Sequence, residues 1–141
     1  MKEKLYLAAP LFSELEKEFN VRVKNILSEK FEVFLPQEDG GLLVNMVKDG
    51  TNNQVARQKI FKWDIDAMKK SDVIFAILDG RTIDEGTVFE LGYAFALGKK
   101  CYALQTDPRR LLPEGNNVMI DGSLEHTFHS LDELIKWLKE V

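Results

Sequence analysis

Asp84 and Glu90 stand six residues apart in the run Asp84-Glu85-Gly86-Thr87-Val88-Phe89-Glu90, where a polar loop gives way to apolar sequence. From Val88 to Leu97 the residues read VFELGYAFAL, apolar or small on every side except at Glu90. A helix apolar all round is buried all round, against its own sheet and against a second subunit. Glu90 therefore carries a carboxylate into surroundings where an unpartnered charge is costly. Asp84, at the N-cap position, places a second carboxylate at the positive end of that helix, which favours its ionised form by ~0.3–1 kcal/mol. Two carboxylates facing one cleft are what acid-assisted cleavage of a glycosidic bond requires: one acts at the anomeric carbon and the other protonates the leaving group. Such assistance supplies ~10²–10⁴-fold in rate. Asp64, further upstream, is a third candidate. Each has a plainer alternative: a solvent-facing or cation-paired Glu90, simple capping by Asp84, and a solvated helix face beside Lys62 for Asp64.

The elements that must position these groups follow from periodicity. Residues 4–9 (KLYLAA) read as a first strand stopped by Pro10, and residues 31–35 (FEVFL) as a second closed by Pro36. Between them Leu15, Phe19, Val23, Ile26 and Leu27 keep helical spacing, and Ser13 with Glu16 forms a capping-box pattern. Residues 37–52 are acidic and glycine-bearing, which predicts a long loop with one helical turn at 42–47. A helix is expected over 54–70, with Ile60, Trp63, Ala67 and Met68 on one side. Residues 72–78 (DVIFAIL) form a near-continuous apolar run of the kind buried on both faces. A helix over 85–97 ends at Gly98. Strands are expected at 100–105 (KCYALQ) and 117–120 (NVMI), and an amphipathic helix at 131–140. Strands alternating with helices predict one domain over 1–141. Its architecture is a three-layer α/β/α sandwich, flavodoxin- or Rossmann-like, with about five parallel strands.

In such sheets ligands sit beyond the carboxyl ends of the strands. That rule nominates Ala9 and Pro10, Gln37, Asp79, and the loop through Gly86 as substrate-contacting positions. Asp79 as a phosphoacceptor is excluded, because a receiver domain needs an acidic pair after the first strand and a lysine after the last. Ala8-Ala9-Pro10 and Asp121-Gly122 stand there instead.

Composition narrows the field. Hydrophobic residues make up 45% and charged residues 30%, and 19 Lys+Arg against 23 Asp+Glu give a net charge of −4. That sum argues against general nucleic-acid binding. A single cysteine, Cys101, excludes an internal disulfide and reads as a buried thiol. No apolar stretch is long enough to span a membrane and no secretory signal is present, so a cytoplasmic protein is expected. His126 and His129 lie in a polar stretch without nearby cysteine and read as a surface pair, not a metal site. No GxxxxGK[ST] or GxGxxG loop occurs.

Together these motifs resemble the nucleoside 2-deoxyribosyltransferase family. The resemblance is carried by Tyr6-Leu7-Ala8-Ala9-Pro10-Leu11-Phe12, by Asp64, by the D-x-G-T-x-x-E-x-G block from Asp84 to Gly92, and by Asn117-Val118-Met119. It spans essentially the whole chain, and the block from Asp84 is its most specific part. It implies exchange of the base of a 2′-deoxynucleoside for another free purine or pyrimidine, without cofactor or metal, in a homo-oligomer ranging from dimer to hexamer. By the same resemblance Glu90 is the nucleophile at C1′. Asp84 and Asp64 act at the base, Tyr6 orients the nucleophile, and Phe12 belongs to the substrate pocket. Asn117 and Met119 reach into a neighbouring subunit's site.

The implied chemistry is a retaining double displacement through a 2-deoxyribosyl ester of Glu90. Entry of water in place of a base would make the same site a hydrolase. The competing relatives are deoxynucleoside 5′-monophosphate N-glycosidases, whose first turn carries Gly, Ser and Arg for the phosphate. The apolar turn Ala8-Ala9-Pro10-Leu11-Phe12 favours an uncharged 5′-hydroxyl, while Arg81, Arg109 and Arg110 keep a nucleotide substrate in play. A non-catalytic nucleotide-binding module on the same scaffold is the alternative from another class.

Overall fold

Strand β1 (Glu3–Ala8) alternates its side chains across the sheet, and this alternation assigns the two faces of the molecule. Leu5 and Leu7 enter one core with Val23, Leu27, Phe75 and Leu134. Tyr6 and Ala8 enter the other, with Met68, Ile74, Leu91 and Ala94. The computed structural model describes residues 1–109 and 113–141.

After β1 come α1 (Glu14–Leu27), β2 (Phe31–Phe34), α2 (Pro36–Asp39), α3 (Leu43–Lys48) and α4 (Asn53–Lys70). These lead to β3 (Val73–Ile77), α5 (Glu85–Ala96), β4 (Lys100–Leu104), α6 (Val118–Asp121), β5 (His126–Phe128) and α7 (Leu131–Glu140). All strand pairs are parallel, in the order β2-β1-β3-β4-β5. That is the flavodoxin-like order, with its switch point between β1 and β3. Helices α1 and α7 cover one face; α4 and α5 cover the other. Every residue of β3 is buried, as its unbroken apolar run requires.

The local signals explain the helix ends. Ser13 Oγ accepts from Glu16 N at 3.1 Å and Glu16 Oε1 accepts from Ser13 N at 2.8 Å, a complete capping box. Asn52 caps α4 and Asp84 caps α5. Cys101 is buried, and burial pushes its thiol pKa up to about 11. Among the described residues no helix is long and apolar enough to cross a membrane.

Three expectations need correction. The fifth strand is not 117–120. Asn117 Oδ1 accepts from Met119 N at 2.9 Å and starts the helical turn α6, while the strand is His126–Phe128. In the stretch 37–52 the expected helical turn at 42–47 is present as α3, but a second short helix, α2, precedes it, opening with Pro36 at its first turn, where a missing N–H is harmless. Helix α4 buries Ala56 and Met68 but leaves Trp63 44% exposed, so its apolar side is only partly inserted.

Candidate active site

The first turn of α5 is fixed by Asp84, whose Oδ2 accepts from Thr87 N at 2.9 Å and from Thr87 Oγ1 at 3.1 Å. Thr87, Leu91 and Ala94 form the buried stripe of α5. This anchoring turns Glu90 back over the sheet toward β1. There the Tyr6 hydroxyl donates a hydrogen bond to Glu90 Oε2. Tyr6 is itself fully buried and stacked on Phe34, with ring centroids 5.5 Å apart and planes 13° from parallel. The phenol thus has little freedom to swing away.

Asp64 approaches from α4. Its Oδ1 is buried and has no hydrogen-bond partner, alone in this respect among the described residues. A buried carboxylate oxygen without a partner is costly and rare. The chain can close over it because position 40 is glycine. A Cβ there would stand 3.1 Å from Asp64 Oδ1 and 2.9 Å from Pro36 O.

Between α4 and α5 lies a cavity of about 360 Å³ whose wall includes Arg57, Phe61, Asp64, Gly86, Phe89 and Glu90. Its volume falls within the ~300–1,000 Å³ typical of small-molecule sites. The rest of the wall is aliphatic (Leu43, Ile60, Ile65, Met68). A larger hollow of about 580 Å³ between the start of β1 and the end of α4 is walled by Lys4, Trp63, Asp66 and Lys70, and neither Glu90 nor Asp64 faces it.

Burial governs the electrostatics. It pushes the Glu90 carboxyl up to about 8; the Tyr6 hydrogen bond opposes this, and the charges of Asp64 and Asp84 add to it. Burial alone pushes Asp64 up to about 6. The Tyr6 phenol is raised by burial and then by the neighbouring Glu90 charge, so it remains a donor. Two interacting carboxyls raised in this way retain a proton between them near neutral pH. Such a pair can supply an acid and a nucleophile at once.

Of the residues nominated from the sequence, Asp64, Gly86 and Glu90 share the cavity, with Tyr6 bonded to Glu90 and Asp84 capping the helix that carries it. The others stand apart from the cavity wall. Gln37 accepts from Asn20 Nδ2 at 2.9 Å and donates to Lys17 O at 3.0 Å, bracing α2 against α1. Asp79 accepts from Thr106 N at 2.6 Å, Asp107 N at 3.0 Å and Thr106 Oγ1 at 2.6 Å, tying together the exits of β3 and β4. Pro10 O accepts from Asn20 Nδ2 at 2.8 Å, Ala9 is buried, and Phe12 is exposed. Asn117 caps α6, and Met119 is exposed.

Arg109 is ion-paired with Asp107 at 2.6 Å, and Arg110 lies outside the described residues. The ring of His126 packs edge-on against Phe128, and His129 Nδ1 lies 3.3 Å from Gln105 O. No cluster of three or more His, Cys, Asp or Glu suited to a metal occurs among the described residues. Arg57 and Phe61 were not singled out from the sequence. Their signal is the i, i+4, i+7 stripe that they form with Asp64 on α4.

Comparison with known proteins adds an independent finding. The family described as nucleoside 2-deoxyribosyltransferase matches residues 5–135. An uncharacterized protein of Ureaplasma parvum serovar 3 is 31% identical over 132 residues, covering 87% of this chain and 84% of that protein. A solved 2-deoxyribosyltransferase from Bacillus psychrosaccharolyticus is similar at TM-score 0.76 and 29% identity, covering 94% of this chain and 90% of the other. A conserved protein from Enterococcus faecalis V583 is similar at TM-score 0.77 and 26% identity, covering 99% of each chain. A CMP N-glycosidase from Clostridium botulinum shares the fold, with TM-score 0.64 and 23% identity over 97% of this chain and 99% of that one.

Proposed function

We propose, for a chain that belongs to the nucleoside 2-deoxyribosyltransferase family, that residues 1–141 act as one domain exchanging the base of a 2′-deoxynucleoside for another free purine or pyrimidine. The observation that carries this reading is the Tyr6–Glu90 hydrogen bond beside the unpartnered Asp64 Oδ1, in a cavity with a largely apolar wall.

In the first step ionised Glu90 attacks C1′. The C1′–N bond breaks, its electron pair leaves with the base, and the Asp64 carboxyl delivers a proton to that base. Asp64 suits the acid role better than Asp84, because its buried Oδ1 stands on the cavity without a partner, while Asp84 Oδ2 already holds the first turn of α5. Glu90 is raised further than Asp64, so the productive form is the less populated arrangement of the singly protonated pair, with the proton on Asp64 and Glu90 ionised. In the second step a nitrogen of the incoming base attacks C1′, the ester breaks, and Asp64 recovers the proton. Two inversions give net retention. Tyr6 orients the carboxylate, and Gly86, on the cavity wall, keeps a Cβ from standing 3.2 Å from Asp84 Oδ2. Asp84, at the cap of α5, joins Asp64 in binding the base.

An uncharged 5′-hydroxyl fits better than a phosphate. The turn from Ala9 to Phe12 offers no cation, and Arg109 is neutralised by Asp107. The exposed apolar residues Phe89, Phe95, Leu97, Val118 and Met119 support assembly into a homo-oligomer, with Asn117 and Met119 completing a neighbour's site. The reaction belongs to nucleoside salvage in the cytoplasm.

A second reading, hydrolysis, has its own observation. Phe61 and Phe89 are 60% and 55% exposed, so in the single chain water can reach an ester formed at Glu90. Liquid chromatography of the protein with deoxyinosine, with and without adenine, separates the two. Deoxyadenosine formed only with adenine supports exchange. Hypoxanthine released equally in both tubes overturns it in favour of hydrolysis, and no change with any deoxynucleoside leaves a binding module.

A further inference from the structure

Among the described residues Arg57 is the one cation on the wall of the Glu90–Asp64 cavity, and base exchange by itself assigns it no task. It stands seven residues before Asp64 on α4, two helical turns or about 10 Å along the axis. It forms no ion pair with either carboxylate among the described residues, so its charge is not neutralised locally. Its Nε donates to Asn53 Oδ1 at 2.9 Å, one turn back on the same helix. That bond occupies Nε, and among the described residues neither terminal nitrogen has a hydrogen-bond partner. The rings of Phe61 and Phe89, on the same wall, are open to solvent and offer faces on which a planar base can stack.

From this arrangement we infer that Arg57 is a specificity-determining residue that reads the outer edge of the base and selects 6-oxopurines over adenine. This rests on the base-exchange reading and deepens it. With N9 of a purine directed to the sugar and Glu90, the six-membered ring extends toward the outer end of the cavity, and the C6 substituent and N7 lie together along one side of the base. A guanidinium offers parallel donors and no acceptor. It matches the two acceptors O6 and N7 of guanine or hypoxanthine, the geometry by which arginine reads guanine in a duplex. Adenine presents an amino donor at the same place, so two donors would meet. Asn53 acts through Arg57 and is a positioning residue.

The test is an internal competition. Deoxyguanosine serves as donor, with equal hypoxanthine and adenine as acceptors, and initial deoxyinosine and deoxyadenosine are measured in one tube. The ratio of products is independent of how much of a variant is folded. The wild type is expected to favour deoxyinosine. R57A should lower the ratio about tenfold through a higher KM for hypoxanthine relative to adenine, whatever it does to cleavage of the shared donor. R57Q, which can donate and accept, should move it further toward deoxyadenosine. An R57A ratio equal to that of the wild type overturns the inference while leaving base exchange intact. A wild type that releases guanine but makes neither product overturns the exchange reading itself. If R57A instead abolishes cleavage of deoxyguanosine 5′-monophosphate with the base ratio unmoved, Arg57 reads a phosphate and the inference fails.

Discussion

Tyr6 and Glu90, 84 positions apart in the chain, are joined by a hydrogen bond from the phenol to Glu90 Oε2. The bond ties the central part of β1 to the middle of α5, and each side chain is held by its own element. It also opposes the effect of burial on the carboxyl, lowering a pKa that desolvation raises. Replacing Tyr6 by Phe keeps the stack on Phe34 and removes only the hydroxyl. Y6F should therefore lower kcat and move the pH at which Glu90 ionises upward. A shift of the kinetic titration toward alkaline pH, measured beside the wild type, checks this.

Glu90→Gln should remove nearly all turnover while the fold is retained. Loss of a nucleophile that works together with an acid is expected to cost more than the ~10²–10⁴-fold typical of one proton-transfer group. Circular dichroism and initial rates measured on one preparation give the comparison; substantial residual exchange in E90Q would remove the covalent step.

The same substitution has a second consequence, in stability. The folded pKa of Glu90, about 8, lies above the ordinary carboxyl value of 4.5. The folded state thus binds this proton more tightly than the unfolded chain does. Stability from this group is fully present below pH 4.5 and is lost as pH rises through about 8. E90Q has no such proton to lose. It should be close to the wild type near pH 4 and more stable by a few kcal/mol, at most ~5, near pH 9. Urea denaturation at the two pH values measures the difference.

Exchange should be bell-shaped in pH. The productive state of the Glu90–Asp64 pair holds one proton, so activity is expected to peak between the two carboxyl pKa values of about 6 and about 8. Asp64→Asn removes the acid while keeping the shape. It should slow exchange by ~10²–10⁴-fold for poor leaving bases and much less for bases that leave readily as anions. Rates with two donors of different base acidity, for wild type and D64N, decide whether Asp64 is the proton donor.

The sequence carried the strands with strong patterns and lost the weak one. β3, apolar throughout, and the cap residues Ser13 and Asp84 were legible because each has a local physical signature. β5 was not: His126–Phe128 is three residues long and buries only Phe128, so neither periodicity nor an apolar run marks it. The neighbouring NVMI run supplied a false signal, although Asn117 before it was a capping residue in plain view.

In the site, Glu90 announced itself as one carboxylate in an apolar helix. Asp64 was nominated on weaker grounds, beside the plainer reading of a solvated helix face, because its burial comes from Gly40 and the α2–α3 corner, far from it in sequence. Gln37 and Asp79 follow strand ends as the topology rule requires, yet their side chains brace the scaffold. Position after a strand gives the neighbourhood of a site and not the direction of a side chain.

The central claim is a covalent 2-deoxyribosyl ester on Glu90. Incubating the protein with a 2′-deoxynucleoside and no acceptor, quenching rapidly in acid and mapping peptides by mass spectrometry tests it most directly. The account predicts a deoxyribosyl adduct on the peptide carrying Glu90, absent in E90Q and discharged when a free base is added before the quench. Turnover without any adduct on that peptide, or an adduct on another residue, would contradict it.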